Sequence, residues 1–228
     1  MHAATTRRAV LNAVRTPESA EMWNNIGMCF FGKGKLVAAI ACLKKAVYLA
    51  PAQWKISYNL GLVHMHNTQY VSAFHFLSAA INFKKDHALS FMLLGTTLMY
   101  LDDAQNGKKA FEKAVELDNT NPLIYINFSA LLYNEGDLQA AGEQHSLYQR
   151  CAKANPTIVE DFGASELGAL SEKLFTAINL GIPPSDKSDK GDPNASSTAN
   201  AEPDPETPEK LRDPDTPDRK VDDDKIPT

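Results

Sequence analysis

The chain has 228 residues, of which 43% are apolar, and a formal net charge of −5 at pH 7. Residues 1–181 hold 16 basic and 15 acidic side chains, and this near-neutral balance argues against nucleic acid as a partner. The three cysteines are odd in number and form no CxxC pair, which indicates a reducing cytoplasm rather than a disulfide framework.

Residues 1–19 admit two interpretations. Three arginines precede the first acidic residue, Glu18, a composition typical of an amphipathic mitochondrial presequence. Apolar residues between Ala9 and Val14 also form one helical face that ends before Pro17. Pro17 and Pro51 are separated by the interval of the repeat described below, which makes this segment the second helix of a truncated repeat.

The stretch GMCFFGKG, residues 27–34, has the spacing of a phosphate-binding loop. Gly34 stands where Ser or Thr would ligate Mg²⁺, and no β-branched or alternating run precedes Gly27. A nucleotide site needs a strand that leads into the loop and a helix that leaves it. We therefore predict a tight turn between two helices here, without a nucleotide cofactor.

The sequence matches itself at a fixed interval along the chain. Four units start at Ala20, Trp54, Ala88 and Pro122, which gives repeats over 20–53, 54–87, 88–121 and 122–155. The shared pattern, read in the first unit, is Trp23, Ile26, Gly27, Phe30, Ala39, Leu43, Ala46 and Pro51. The pattern and the interval of about 34 residues are typical of the tetratricopeptide repeat, so we predict an all-α superhelical solenoid of helix-turn-helix units.

Small residues inside the predicted helices have a structural role in this pattern. Glycine costs about 1 kcal/mol in a helix interior, so its recurrence indicates that a side chain would block the packing of the paired helix. The predicted structural positions are Gly27, Gly61, Gly95, Ala39, Ala73 and Pro51.

Two further segments follow the fourth repeat. We predict a capping helix within residues 156–182, with Leu167, Leu170, Leu174, Phe175 and Ile178 on its apolar face. From residue 182 onward the chain has 13 acidic and 7 basic residues, nine prolines and no aromatic residue. This composition predicts a disordered, acidic, proline-rich tail over residues 183–228.

Candidate catalytic, metal-binding and membrane-spanning features are weak. His64 and His66 point about 200° apart on a helix, so they cannot share one metal ion. Glu112 and Glu116 lie at helical spacing from lysines, which favours a solvated ion-pair face over an acid/base pair. The apolar run Phe91–Leu101 is shorter than the roughly 20 residues of a membrane span. We predict a non-enzymatic protein without metal, cofactor or direct membrane insertion.

The first helices of such a solenoid line its concave face, and the second helices form its outer face. Four of the six methionines fall at inward first-helix offsets, and methionine adapts to irregular apolar partners such as a helix or an extended chain. We expect these positions to be partly solvated, although ordinary packing between helices is the alternative for each methionine. The predicted partner-binding residues are Met28, Tyr58, Asn59, Met65, His66, Met92, Met99 and Ile126.

Several segments carry more than the repeat pattern. VLNAVRTPESAEMWNNIGMCFFGKGKLVAAIACLKKAVYLAP, QYVSAFHFLSAAINF and FEKAVELDNTNPLIYINFSALLYNEGD include turn and surface residues that the repeat leaves free. Over about residues 5–150 the sequence resembles the C-terminal repeat region of the fourth Bardet–Biedl syndrome protein family, a tetratricopeptide subunit of the BBSome. Members of that family carry further repeats ahead of this region.

The resemblance implies a scaffold that acts in ciliary membrane-protein trafficking, cilium assembly and centriolar or microtubule-linked transport, without catalysis or cofactor. It implies other BBSome subunits, centriolar-satellite proteins and microtubule-motor adaptors as partners. It also implies the cytoplasm, the cilium, the ciliary basal body and centriolar satellites as locations. The alternative is a tetratricopeptide adaptor of another intracellular complex unrelated to cilia, which would have the same fold.

Overall fold

The computed structural model describes residues 19–161 and 164–182, which form helices joined by turns with no strand among them. Within this part of the chain the helices are α1 (Ala20–Phe31), α2 (Leu36–Leu49), α3 (Trp54–His66), α4 (Tyr70–Phe83), α5 (Ala88–Tyr100), α6 (Ala104–Leu117), α7 (Pro122–Asn134), α8 (Leu138–Ala154), α9 (Pro156–Asp161) and α10 (Ala164–Asn179). The predicted all-α fold is confirmed. The predicted half repeat (except Ser19) and the predicted acidic tail lie outside the described residues.

The first eight helices form four antiparallel pairs, and the turn inside each pair has the same backbone geometry. One residue per turn adopts a positive φ, and these residues recur at the repeat interval: Gly34 (69°), Thr68 (56°), Asp102 (58°) and Gly136 (83°). A left-handed residue reverses the chain within a few residues after a helix ends, and glycine accepts this conformation without steric cost. The turn at Gly34 follows helix α1 rather than a strand, so it lacks the structure of a phosphate-binding loop.

In each of the first three pairs, the two helices approach too closely for a side chain at one point. A Cβ atom built on the first-helix glycine of each of the first three pairs would lie 2.7 Å from a side-chain carbon of the second helix: Gly27 from Leu43 Cγ, Gly61 from Leu77 Cγ and Gly95 from Phe111 Cδ2. Ala39 and Ala73 are fully buried on the second helices, whereas Pro51 is exposed in the loop after α2. The small residues therefore allow close contact within these three pairs.

The stacking of the pairs gives the array a curvature. The first helices of successive pairs, α1, α3, α5 and α7, pack directly on one another. Among the described residues, no such backbone contact joins the second helices α2, α4, α6 and α8 to each other. The first helices therefore form the inner, concave side, and the second helices are spread along the outer side.

The buried core has two parts. A smaller cluster in the first two pairs contains Ala39, Ile40, Leu43, Leu60 and Val63. A larger cluster runs from Leu77 in α4 to Leu167 in α10, and in it the rings of Phe111 and Phe128 stack with their centroids 5.3 Å apart. Each part joins neighbouring pairs, as expected when one repeat buries the open face of the next.

Helix α10 packs against α8 and α7 at the end of the described array. Leu167 and Leu174 are buried there, and the His145 Nε2 and Ser171 Oγ atoms are 2.9 Å apart. Phe175 is nearly half exposed and stacks on the His145 ring. Leu170 is nearly half exposed as well, so part of the apolar face expected for this segment is not buried. No helix in the described ranges has the length and apolarity that a membrane span requires.

Candidate partner-binding surface

The eight predicted partner-binding residues all lie on first helices, but their exposure differs along the array. His66 is exposed, and Met92 and Ile126 are buried. Five residues are half-buried: Met28, Tyr58, Asn59, Met65 and Met99. The surface available to a partner is therefore concentrated on α1 and α3.

The expectation that these positions are partly solvated is wrong for Met92 and Ile126. Met92 is 7% exposed and Ile126 is 1% exposed, and both belong to the larger core cluster. The neighbouring first helix covers Met92, because Asn127 of α7 places its Nδ2 atom 3.9 Å from the Met92 sulfur. These two side chains stabilise the contact between the third and fourth pairs, which is the ordinary packing alternative.

Met99 is in an intermediate position at the end of α5. The amide Nδ2 of Asn134 on α7 donates to its sulfur at 3.3 Å, and Met99 packs at the edge of the larger core cluster. One side of Met99 is therefore already engaged within the chain. Met65 packs at the edge of the same cluster and Met28 at the edge of the smaller one, but among the described contacts neither sulfur accepts a hydrogen bond of this kind.

Polar side chains connect α1 and α3 at the inner surface. Asn59 Nδ2 donates to Asn24 Oδ1 at 2.8 Å, and Asn24 Nδ2 donates to Asn25 Oδ1 at 3.3 Å. At the other end of the same two helices, the Phe31 and His66 rings meet edge to face with centroids 5.0 Å apart. This part of the inner surface therefore presents amide and aromatic groups side by side.

The sequence interpretation missed an aromatic cluster where α3 meets α5. The His87 ring lies 4.5 Å from the Trp54 ring and 5.1 Å from the Tyr58 ring, centroid to centroid. The ammonium groups of Lys55 and Lys84 lie 5.8 and 5.9 Å from the Trp54 ring, within cation–π distance. The available signal was that His87 immediately precedes α5 and so faces the start of α3.

The titratable groups of this surface are shifted toward their neutral forms. Partial desolvation of the His66 ring, which packs on Phe31, lowers the pKa of that histidine, and burial raises the pKa of the Tyr58 hydroxyl. Burial also lowers the pKa of His87, with a further lowering from Lys84 that Asp86 opposes. At neutral pH these rings are uncharged, so the rings themselves offer apolar contact and neutral hydrogen bonds.

Among the described residues, the histidines and carboxylates considered above are not brought together in one site. His64 is buried, its Nδ1 lies 2.6 Å from Gln69 Oε1, and its ring stacks on Phe76, whereas His66 is exposed. Glu116 pairs with Lys113 at 2.8 Å on an exposed face. No three His, Cys, Asp or Glu side chains come together as metal ligands in the described ranges. The side chains described here suit the non-covalent binding of a partner.

Comparison with known proteins adds two kinds of likeness. The tetratricopeptide repeat family model matches residues 20–52 and 88–121. The solved structure titled "Crystal structure of MamA" matches with a TM-score of 0.61 and 18% identity, covering 68% of this chain and 91% of that one. This likeness supports the tetratricopeptide solenoid fold.

Curated relatives give a closer match in sequence. The chain is 48% identical over 182 residues to the BBSome complex member BBS4 of Mus musculus, covering 78% of this chain and 34% of the relative. It is 48% identical over 169 residues to the BBSome complex member BBS4 of Xenopus tropicalis, covering 74% and 33%. The chain thus spans about a third of the length of the curated relatives it matches. With the repeat interval, the helix pairs and these matches taken together, the chain belongs to the BBS4 family of tetratricopeptide-repeat proteins.

Proposed function

We propose that this chain is a non-enzymatic scaffold that holds protein partners on its inner surface within a BBSome-type complex. The observation that carries this proposal is a row of exposed and half-buried side chains on α1 and α3. It combines Met28, Met65 and His66 with the amides of Asn25 and Asn59. Methionine and aromatic groups suit an irregular apolar partner, and amides can pair with its backbone.

The biological setting of the proposal comes from the relatives. Because they are named as BBSome members, we infer that the partners are other BBSome subunits, and that the scaffold acts in ciliary membrane-protein trafficking and cilium assembly. Centriolar-satellite proteins and microtubule-motor adaptors are further proposed partners. The proposed locations are the cytoplasm, cilium, basal body and centriolar satellites.

The test is capture of BBSome subunits from ciliated cells by the tagged full chain, detected with antibodies to each subunit. Met28→Glu combined with Met65→Glu should reduce capture at least tenfold, since two half-buried apolar anchors each contribute more than about 1 kcal/mol in a typical interface. A second variant, Asn25→Ala with His66→Ala, changes exposed side chains only and should reduce capture without lowering the thermal melt.

The matched control is Val37→Glu combined with Val71→Glu. These valines are 77% and 73% exposed on the second helices α2 and α4, and they too are separated by the repeat interval. The control should capture BBSome subunits as the unaltered chain does. Undiminished capture by both inner variants would contradict the inner surface as the binding site. Capture of no BBSome subunit by the unaltered chain would favour an adaptor of another complex.

A further inference from the structure

Helix α10 holds the place of a first helix at the end of the described array. It packs against α8 and α7, just as the first helix α7 packs against α6 and α5. Leu167 and Gly168 repeat the apolar residue and glycine of the earlier first helices, which are Ile26 and Gly27 in the first pair. Leu167 is buried, as Ile26 is. Helix α10 is therefore arranged like the first helix of a fifth pair.

The glycine of α10 faces no second helix among the described residues. A Cβ atom built on Gly168 has no heavy atom within 4 Å, whereas one built on the glycine of each of the first three pairs meets a second-helix side chain. Phe175 lies two turns further along the same face of α10 and is 46% exposed. We name the surface of Gly168 and Phe175 the open face.

A cavity of about 340 Å³ adjoins the open face between α8 and α10. Gly142, His145 and Ser146 line it from α8, and Phe175 and Ile178 line it from α10. The described residues around it all belong to these two helices. A second helix packed on the open face would add a further wall, and the volume is sufficient to accept a side chain from that helix.

The helices that cover the equivalent faces share one pattern. Each has a small residue, a bulky Leu or Phe four positions later, and an alanine three positions after that. These residues are Ala39, Leu43 and Ala46 in α2, Ala73, Leu77 and Ala80 in α4, and Gly107, Phe111 and Ala114 in α6, and all of them are buried. The bulky residue is the one that meets the first-helix glycine. An occupant of the open face should carry the same pattern, because the same kind of glycine leaves the same space.

The sequence after α10 does not carry this pattern. Residues 183–228 contain nine prolines, no phenylalanine and a single leucine, Leu211, and the residue four positions before that leucine is neither alanine nor glycine. Proline also interrupts a helix, because it lacks the amide hydrogen that the helix interior needs. A helix of another protein therefore fits the open face better than this segment does.

We propose that the open face binds an amphipathic helix of a partner protein, which packs on α10 as the second helix of a fifth pair. This helix places a Leu or Phe side chain on Gly168 and contacts the exposed part of the Phe175 ring. Its small residues allow the close approach that the first three pairs show. The site is on α10, so it is separate from the inner surface of the proposed function.

The test uses the full chain and two labelled peptides, and binding is measured by fluorescence anisotropy. The first peptide has the sequence of α6, Ala104–Leu117, which carries the second-helix pattern. The second peptide has the change Phe111→Ala. Alanine favours the helix more than phenylalanine does, so weaker binding of the second peptide cannot result from a loss of helicity. We expect the α6 peptide to bind at least tenfold more tightly than the Phe111→Ala peptide.

Two variants of the chain locate the site. Gly168→Leu fills the open face and should weaken binding of the α6 peptide at least tenfold. The new side chain extends into open space and leucine favours the helix, so the thermal melt should not fall. Phe175→Ala removes the exposed ring and should weaken binding at least threefold.

The matched control is Lys173→Leu, which places a leucine at another exposed position of α10. Lys173 lies about 140° around the helix from Gly168, so this variant should bind the α6 peptide as the unaltered chain does. The Met28→Glu, Met65→Glu variant should also bind normally, which separates this site from the inner surface. The proposal is overturned if the unaltered chain does not bind the α6 peptide more tightly than the Phe111→Ala peptide. It is also overturned if Gly168→Leu leaves the affinity for the α6 peptide unchanged.

Discussion

Replacing Lys35 by Asp should stabilise the protein. Lys35, Gln69, Asp103 and Asp137 are the N-cap residues of the four second helices, and they hold the same position in successive repeats. The aspartates cap their helices, whereas the side chains of Lys35 and Gln69 make no capping hydrogen bond. Lys35 also places a positive charge at the positive end of the helix dipole, which is unfavourable.

The backbone at Lys35 already suits an aspartate. Its φ and ψ are −86° and 71°, and those of Asp137 are −83° and 75°. In that conformation Asp137 Oδ1 accepts the hydrogen bond of the Ala140 backbone nitrogen at 3.0 Å. An aspartate at position 35 would reach the equivalent Ala38 nitrogen without a change in the backbone.

The expected gain in the free energy of unfolding is about 1.5 kcal/mol, of which the cap itself contributes about 1 kcal/mol. Removal of the cation and introduction of the anion contribute about 0.3 kcal/mol each at an exposed helix end. With a urea dependence typical of small domains, the unfolding midpoint should rise by about 0.5 M or more.

The assay is urea unfolding of the full chain followed by far-ultraviolet circular dichroism. Lys35→Asn supplies a cap without a charge and should give about 1 kcal/mol, and this gain should be less sensitive to salt than that of Lys35→Asp. Asp103→Lys makes the reverse change at the equivalent position and should lower the midpoint. If Lys35→Asp and Lys35→Asn both leave the midpoint within about 0.1 M of the unaltered chain, the missing cap carries no free-energy cost and the reasoning is wrong.

Three other substitutions test the close helix contact, the turn conformation and a buried histidine. Gly95→Ala should destabilise the protein by about 1 to 3 kcal/mol in urea unfolding, because the new Cβ would lie 2.7 Å from the Phe111 ring. The control Gly168→Ala adds a methyl group in open space on α10 and should be neutral or stabilising. Thr68→Gly should raise the thermal melt, because a β-branched residue at φ 56° pays roughly 1 kcal/mol that glycine avoids, and an unchanged or lower melt would contradict that cost. Burial lowers the pKa of His64 below its usual 6.5 in the folded chain, so its contribution to stability is complete above that value and is lost as the pH falls through it. The loss of thermal stability between about pH 7.5 and 5 should therefore be smaller in His64→Leu than in the unaltered chain, and equal losses would show that His64 does not cause it.

The fold was predictable because its strongest signal is periodic. Few structures repeat a glycine at a fixed interval, as this chain does at Gly27, Gly61 and Gly95. Helix pairs in close contact require a residue without a side chain at each of these positions. The family resemblance rested on turn and surface residues outside that pattern, and the match to the BBS4 relatives confirms it.

The exposure of individual side chains was harder to predict. Tyr58 and Met92 hold the same inward position in successive repeats, yet only Met92 is buried, because Asn127 and the rest of α7 pack against it. A repeat pattern describes a single unit, whereas the burial of an inward side chain depends on how closely the first helix of the next unit packs against it. Binding at the inner residues stays a prediction.

The separation of the second helices has a mechanical consequence. Successive pairs are joined by contacts between their first helices and by contacts of each second helix with the next first helix, whereas in the part of the chain described here no backbone contact joins successive second helices. A small rotation of one pair against the next changes the inner spacing little and the outer spacing most. A distance probe across the exposed positions Val71 and Gln105, on α4 and α6, would therefore respond strongly to rotation of the second pair against the third.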